Sequence, residues 1–230
     1  MDEHNSPDAG RPSLREQFAT DPWPVVGFTT SEHNNLTSRR GTLTSETTGR
    51  VAAYLSTLSA GLVALGFVGG GSGGKFGDAF FAFGAVALGL TALVGIVTFL
   101  RCVQGSVEDV VLGERVERVR RAYLELLPGL VDYLEAPLDT GHGEARSASG
   151  MTGRYGWQLT LTMAGLVSIV NSALIGLLVG FLLQLCGVAS EIVWPAGAVV
   201  ALLSAVVHFS AQQRSFANAQ RADRHPSLDG

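Results

Sequence analysis

Between residues 155 and 190 the chain carries no Asp, Glu, Lys or Arg. A helix that crosses a bilayer core needs about 20 consecutive, mostly apolar residues. Three more stretches meet that requirement: Val51–Val68 extended by Gly69–Gly71, Ala79–Leu100, and about Ile192–Ser210. Within the charge-free run the expected span is Trp157–Leu185. Soluble helices usually keep one polar face, and glycine-rich runs this long without charge do not fit a soluble bundle. The expected fold is therefore an all-α integral membrane protein with four transmembrane helices. Pro195 is expected in the first turn of the fourth span, where its missing N–H is harmless.

Charge sets an expected orientation. The basic residues are 15 Arg and one Lys, Lys75, a usage typical of GC-rich bacterial genomes. With both termini inside, fifteen of them lie on the inner side and only Lys75 on the outer side. The positive-inside rule then places both termini and the long middle segment in the cytoplasm of a plasma-membrane protein. By residue type, Tyr54, Tyr155 and Trp157 are expected at the inner interface, and Phe76, Phe80 and Trp194 at the outer one. No secretory signal is expected, because the first apolar block begins near Val51. Ser38-Arg39-Arg40-Gly41-Thr42-Leu43 has the look of a twin-arginine signal, yet it reads better as the flank of a first membrane helix.

The polar segments divide as follows. Residues 1–41 are rich in Pro, Ser, Asp and Asn and are expected to lack a fold, with Trp23 and Phe28 as incidental aromatics. Residues 42–135 hold the first helical hairpin, with Thr44 or Ser45 as the expected N-cap. Within it, 101–135 is expected as a cytosolic amphipathic helix extending from the second span. Leu112, Val116, Val119, Tyr123, Leu126 and Leu130 alternate spacings of four and three, the mark of an apolar stripe on a helix. Glu114–Arg118 and Glu117–Arg121 are favourable pairs four residues apart. The stripe has three possible covers: the membrane surface, another protein or copy, or the N-terminal flank. Its mixed charge favours protein contact over a lipid surface. Residues 136–153 read as a flexible linker, 154–213 as the second hairpin, and 214–230 as a mobile tail.

No pattern of catalytic chemistry emerges. Gly69-Gly70-Gly71-Ser72-Gly73-Gly74-Lys75 has phosphate-loop spacing, but Phe76 stands where a magnesium-binding hydroxyl is needed. It also follows a membrane helix rather than a strand. Cys102 and Cys186 are expected on opposite sides of the membrane, with no zinc set and no disulfide. Glu108 and Asp109 point in different directions on a helix and are expected to be solvated. The net charge of −4 gives no reason to expect a nucleic-acid partner. The expectation is a non-enzyme without cofactor.

What remains is packing. Thr160, Ala164, Ser168, Ser172, Gly176 and Gly180 form a small-residue ridge on the third span, with Gly197, Ala201 and Ala205 on the fourth and Ala85 with Gly89 on the second. Such ridges let membrane helices approach closely, within one chain or between copies. Asn171 lies within the third span and His208 near the inner end of the fourth; each is expected in an interhelical hydrogen bond or along a pore. No span carries an ionisable Asp, Glu, Lys or Arg, which speaks against a coupled transporter.

Gly49-Arg50-Val51-Ala52-Ala53-Tyr54-Leu55, Leu62–Phe67, Thr98-Phe99-Leu100-Arg101, Glu108-Asp109 and Arg118-Val119-Arg120-Arg121-Ala122-Tyr123 together resemble a group of small, uncharacterised bacterial four-span membrane proteins. The resemblance covers roughly residues 45–135 and implies the four-span fold but no activity. More distantly, a helix pair followed by a cytosolic helix is similar in architecture to SLATT-type membrane effectors. Two functions follow as expectations. One is a membrane interaction protein that packs or oligomerises through its ridges and docks a cytosolic partner on the helix bearing Leu112, Val116, Val119, Tyr123 and Leu126. The other is an oligomeric ion-conducting or membrane-permeabilising effector.

Overall fold

The computed structural model describes residues 16, 19–71, 76–126, 129 and 162–224, with side chains as far as Asn218 and excluding those of Pro22 and Leu126. Four long helices and no strand occur among them. These are α1 (Pro22–Gly71, 50 residues), α2 (Asp78–Leu126, 49 residues), α3 (Met163–Leu185, 23 residues) and α4 (Ser190–Arg224, 35 residues). All four are long and apolar enough to cross a membrane. The linker 136–153, residues Ser72–Lys75, Trp157 and Leu130 lie outside the described residues.

Helix ends follow local chemistry. The Asp21 carboxylate accepts a hydrogen bond from the Trp23 N–H (3.2 Å), and Pro22 occupies the first helical position of α1. Gly77 O accepts from the Phe80 N–H (3.0 Å) at the start of α2. Thr162 caps α3, its Oγ1 accepting from the Gly165 N–H (3.1 Å). The α3–α4 turn is a Schellman motif. Gly187 N–H donates to Gln184 O (3.0 Å) and Val188 N–H to Leu183 O (3.1 Å). Gly187 sits at φ +75°, which glycine alone adopts without a Cβ penalty.

Each helix packs mainly on its neighbour in the chain, so α2 lies between α1 and α3, and α3 between α2 and α4. Val51, Tyr54 and Leu65 of α1, Leu88, Phe99, Cys102 and Val103 of α2, and Ala164, Val167, Leu174 and Phe181 of α3 form the core. Phe181 meets Phe80 (centroids 5.6 Å) and Phe81 (5.3 Å), seated over Gly84, where any Cβ would collide with its ring. Large apolar side chains cover the outside: Leu62, Val63 and Phe67 on α1, Val86, Leu90 and Leu93 on α2, Leu202, Leu203 and Val206 on α4.

Four sequence expectations are corrected. Residues 22–41, expected without a fold, are helical, and neither Thr44 nor Ser45 caps anything, because α1 is continuous through them. Thr44 Oγ1 instead bonds back to Arg40 O (3.1 Å). The cause is tertiary: Val25 and Leu36 are buried on a polar segment that only a neighbouring helix can cover. The tail expected from residue 214 is helical to Arg224, with Phe216 buried. Of the third span the structure describes Met163 onward, after the Thr162 cap; its expected start at Trp157 lies outside the described residues. Pro195 stands inside α4 rather than in its first turn. The helix begins with Ala189 O accepting from Val193 N–H, so Pro195 leaves Glu191 O without its usual intrahelical donor.

At the α3–α4 crossing two helix backbones come into close approach. A Cβ on Gly176 would lie 2.5 Å from Gly197 O, and one on Gly197 would lie 2.8 Å from Gly176 O. Gly176→Ala is expected to lower the thermal midpoint of the purified protein in detergent, at a cost of about 1–3 kcal/mol, typical of overpacking. An unchanged midpoint would show that the two backbones separate freely.

Candidate functional site

Two groups of residues carry the chemistry that the fold positions: the α1–α2 pairs beyond the apolar core, and the polar side chains inside it. At a rise of 1.5 Å per residue, α1 and α2 are each about 75 Å long, more than twice a hydrocarbon core of about 30 Å. Their antiparallel register holds over this length. Gly61 faces Thr91, Tyr54 faces Gly95 and Thr47 faces Gly105. Farther out, Arg40 Nε donates to Asp109 Oδ1 (2.8 Å) and its Nη2 to Oδ2 (3.1 Å), a two-pronged pair. Arg39 Nη2 meets Glu108 Oε1 at 2.7 Å, and the hydroxyls of Thr30 and Tyr123 lie 3.0 Å apart. The Asp109 hydrogen bond raises the Arg40 pKa, against the opposing effect of burial. Glu46, hydrogen-bonded to Arg50, is held below the ordinary carboxylate range.

Glu108 and Asp109 are thus ion-paired, not merely solvated. Adjacent residues do point apart on one helix. Arg39 and Arg40 are adjacent as well, so two such helices laid antiparallel meet in two pairs. The same contact gives the arginines of the apparent twin-arginine motif a structural role.

The apolar stripe on α2 is covered. Asp109, Leu112, Val116, Val119 and Tyr123 share one face by their spacing, and both ends of that face bond to α1. Leu112 is 2% exposed and Leu124 is buried, whereas Val116, Val119 and Tyr123 are half-buried. Of the three possible covers, the structure selects the N-terminal flank of the same chain. Leu126 lies on the helix, but its side chain is outside those described. Glu117 lies 3.8 Å from Arg121 and 3.9 Å from Arg120.

The ridge residues on α3 and α4 meet within the chain. Gly176 abuts Gly197 and Ala201, and Gly180 faces Val193 and Trp194. Ser168 and Ser172 are buried and Ala205 is half-buried. Asn171 is fully buried, its amide tucked against Gly95 beside the Tyr54 ring, so it lies inside the chain's own packing. Neither amide atom has a hydrogen-bond partner, and nor do Tyr54 Oη and Ser172 Oγ. Tyr54, expected at an interface, is 1% exposed. His208 is buried edge-on to Phe99 (centroids 4.7 Å), its Nδ1 2.8 Å from Ser204 O. Gln212 Nε2 donates to Thr162 Oγ1 (3.1 Å), so one hydroxyl both caps α3 and holds α4.

Sequence reasoning missed Arg39, Arg40, Gly95, Thr162 and Gln212. The pairing of Arg39-Arg40 with Glu108-Asp109 had a signal, two charge doublets equally far from the short turn of a hairpin. Gly95 and the Thr162–Gln212 contact had none. Both cysteines are free thiols. Among the described residues no group of three or more His, Cys, Asp or Glu is placed to hold a metal ion. No family model, curated protein or solved structure matches the chain.

The Arg40–Asp109 pair lends itself to a double-mutant cycle. Arg40→Gln and Asp109→Asn are each expected to destabilise the α1–α2 pair, with a coupling of about 0.2–1 kcal/mol, since both side chains are about a quarter to a third exposed. The exchanged variant Arg40→Asp with Asp109→Arg should recover most of the loss. Additive single effects, read by hydrogen exchange in residues 30–45, would mean that the pair contributes nothing.

Proposed function

We propose that this chain is a non-enzymatic, multi-pass integral membrane protein that holds a paired helical stalk on the cytoplasmic side of the plasma membrane as a docking element. The observation that carries this reading is the continuation of α1 and α2, in register, well beyond their apolar portions. Residues 22–50 and 101–126 would project about 40 Å from the bilayer, and nothing in a four-helix membrane bundle requires that extension. The excess of arginine in these segments favours the cytoplasmic side. Packing energy supplies the rest: the Gly176–Gly197 crossing and the Phe181 cluster would hold the four spans as one body from which the stalk projects.

The buried polar groups favour a second reading. Asn171 and Tyr54 carry polar atoms with no partner, and such groups are costly in hydrocarbon. In an assembly that conducts ions or permeabilises the membrane, as the architecture of SLATT-type effectors suggests, Asn171 would contribute to a hydrated path. Asn171→Leu would then abolish ion flux through liposomes, and flux that survives the change would remove Asn171 from the path.

The first reading is tested by labelling. Single cysteines at Ser31 and at Gly71, in a background lacking Cys102 and Cys186, are exposed to a membrane-impermeant maleimide in cells and in inverted vesicles. Ser31→Cys is expected to react only in inverted vesicles and Gly71→Cys only in intact cells. Reaction of Ser31→Cys in intact cells would place the stalk outside and defeat the proposal.

A further inference from the structure

The cover on the α2 stripe is poorly matched to what it covers. On α2 the face is Leu112, Val116, Val119 and Tyr123; on α1 the residues from 25 to 40 that are at least half-buried are Val25, Val26, Thr29, Glu32, His33, Leu36 and Arg40, of which three are apolar. The α1 segment is also a weak helix former. Residues 22–50 contain seven Thr, three Ser, three Gly and two Asn, and no Ala. Thr29, Thr42, Thr44 and Thr48 bond back to carbonyls four residues earlier, a competition with the helix ladder. Apart from Val25 and Leu36, what fastens this segment is polar and partly exposed. In the Arg39–Glu108 pair the side chains are 59% and 40% exposed, and pairs of that kind contribute little each and weaken with salt.

The edges of the stripe indicate what would replace the cover. The alternating spacing of four and three makes it a coiled-coil seam. Its flanking positions are Arg115 and Ala122 on one side, and Gly113 and Arg120 on the other. Between Leu112 and Tyr123 the charges at these flanking positions are both positive, Arg120 also lying 3.9 Å from Glu117. A second copy in the same membrane would run parallel and set Arg115 of one chain against Arg120 of the other, which is repulsive. Between residues 22 and 45 the α1 cover offers one carboxylate, Glu32.

We infer that residues 22–50 form a displaceable strap, and that the α2 seam beneath it is a binding site for an acidic amphipathic helix of another protein. The strap masks Leu112, Val116, Val119 and Tyr123 until a helix with apolar residues at the seam and carboxylates at its edges takes its place. Arg115 and Arg120 select for that charge, and the strap lowers the apparent affinity of every ligand by the fraction of time it is closed. The inference rests on reading the stalk as a docking element. Its test reports the chemistry of the seam, whereas the labelling experiment reports location, so the two can fail separately.

The test uses the full chain in nanodiscs of zwitterionic lipid, with empty nanodiscs as reference. The probe is a labelled four-heptad peptide with Leu at the seam positions and Glu at the edges; the control peptide has Lys at the edges. Arg39→Gln with Arg40→Gln removes the clamp from the strap side and leaves Leu112, Val116, Val119 and Tyr123 unaltered. Leu36→Asp loosens the strap by an independent route. The Glu peptide is expected to bind both strap variants more tightly than the parent, the arginine variant by about three- to tenfold, the range that loss of partly exposed ion pairs would give. Val119→Asp in the loosened background should abolish that binding, and the Lys peptide should bind none of them. Equal affinity for the parent and both strap variants would overturn the strap. Equal binding of the two peptides would overturn the acidic-helix assignment. Self-association of the strap variants without peptide would make a second copy the occupant and overturn it as well.

Discussion

Everything beyond the apolar portions of this molecule depends on the antiparallel register between α1 and α2. It is set where the two helices pack tightly: Tyr54 lies against Gly95, and Thr47 against Gly105. Because an α-helix is stiff over this length, the register chosen there carries outward. It brings Arg39-Arg40 opposite Glu108-Asp109 and Thr30 to Tyr123. A shift of one residue in either helix would turn its facing side chains by about 100°, parting both ion pairs together. The outer pairs therefore report the inner packing more than they create it.

The two halves of the molecule use different physics. At the α3–α4 crossing, small residues bring backbones together and dispersion does the holding, the mode of packing open to helices apolar enough to cross a membrane. In the distal α1–α2 segments the apolar content falls and Arg–carboxylate pairs take over, an arrangement suited to water, where such pairs contribute weakly and reversibly. That contrast underlies the proposals made here. An apolar body carries two long helices whose distal segments are joined in part by exposed or half-exposed ion pairs.

Local sequence made the four long apolar helices legible, because an uncharged run of 20 residues has few other ways to satisfy its backbone. The ridge of Ser168, Ser172, Gly176 and Gly180 was equally legible as a packing surface, and Gly176 does meet a backbone at Gly197. The helix over residues 22–41 was not legible. Threonine, serine, asparagine and glycine predict no helix there, and only burial of Val25 and Leu36 makes one. The same limit applies to Asn171, whose position in the span could be read but whose seat against Gly95 could not, and to Thr162 and Gln212, fifty residues apart in sequence.

Composition and periodicity by themselves determined the helix class, the number of apolar segments and the seam on α2, because each depends only on the residues within one segment: the length of an uncharged run for the first two, recurrence at helical spacing for the seam. Tertiary structure decided the rest. It chose the cover for the seam, converted two solvated carboxylates into ion-pair partners, and closed the glycine ridges within the chain. Those outcomes depend on register and on which helix lies beside which, and neither is encoded in any single segment. They arise from the mutual fit of surfaces distant in sequence, where one Cβ more or less decides whether two backbones can touch.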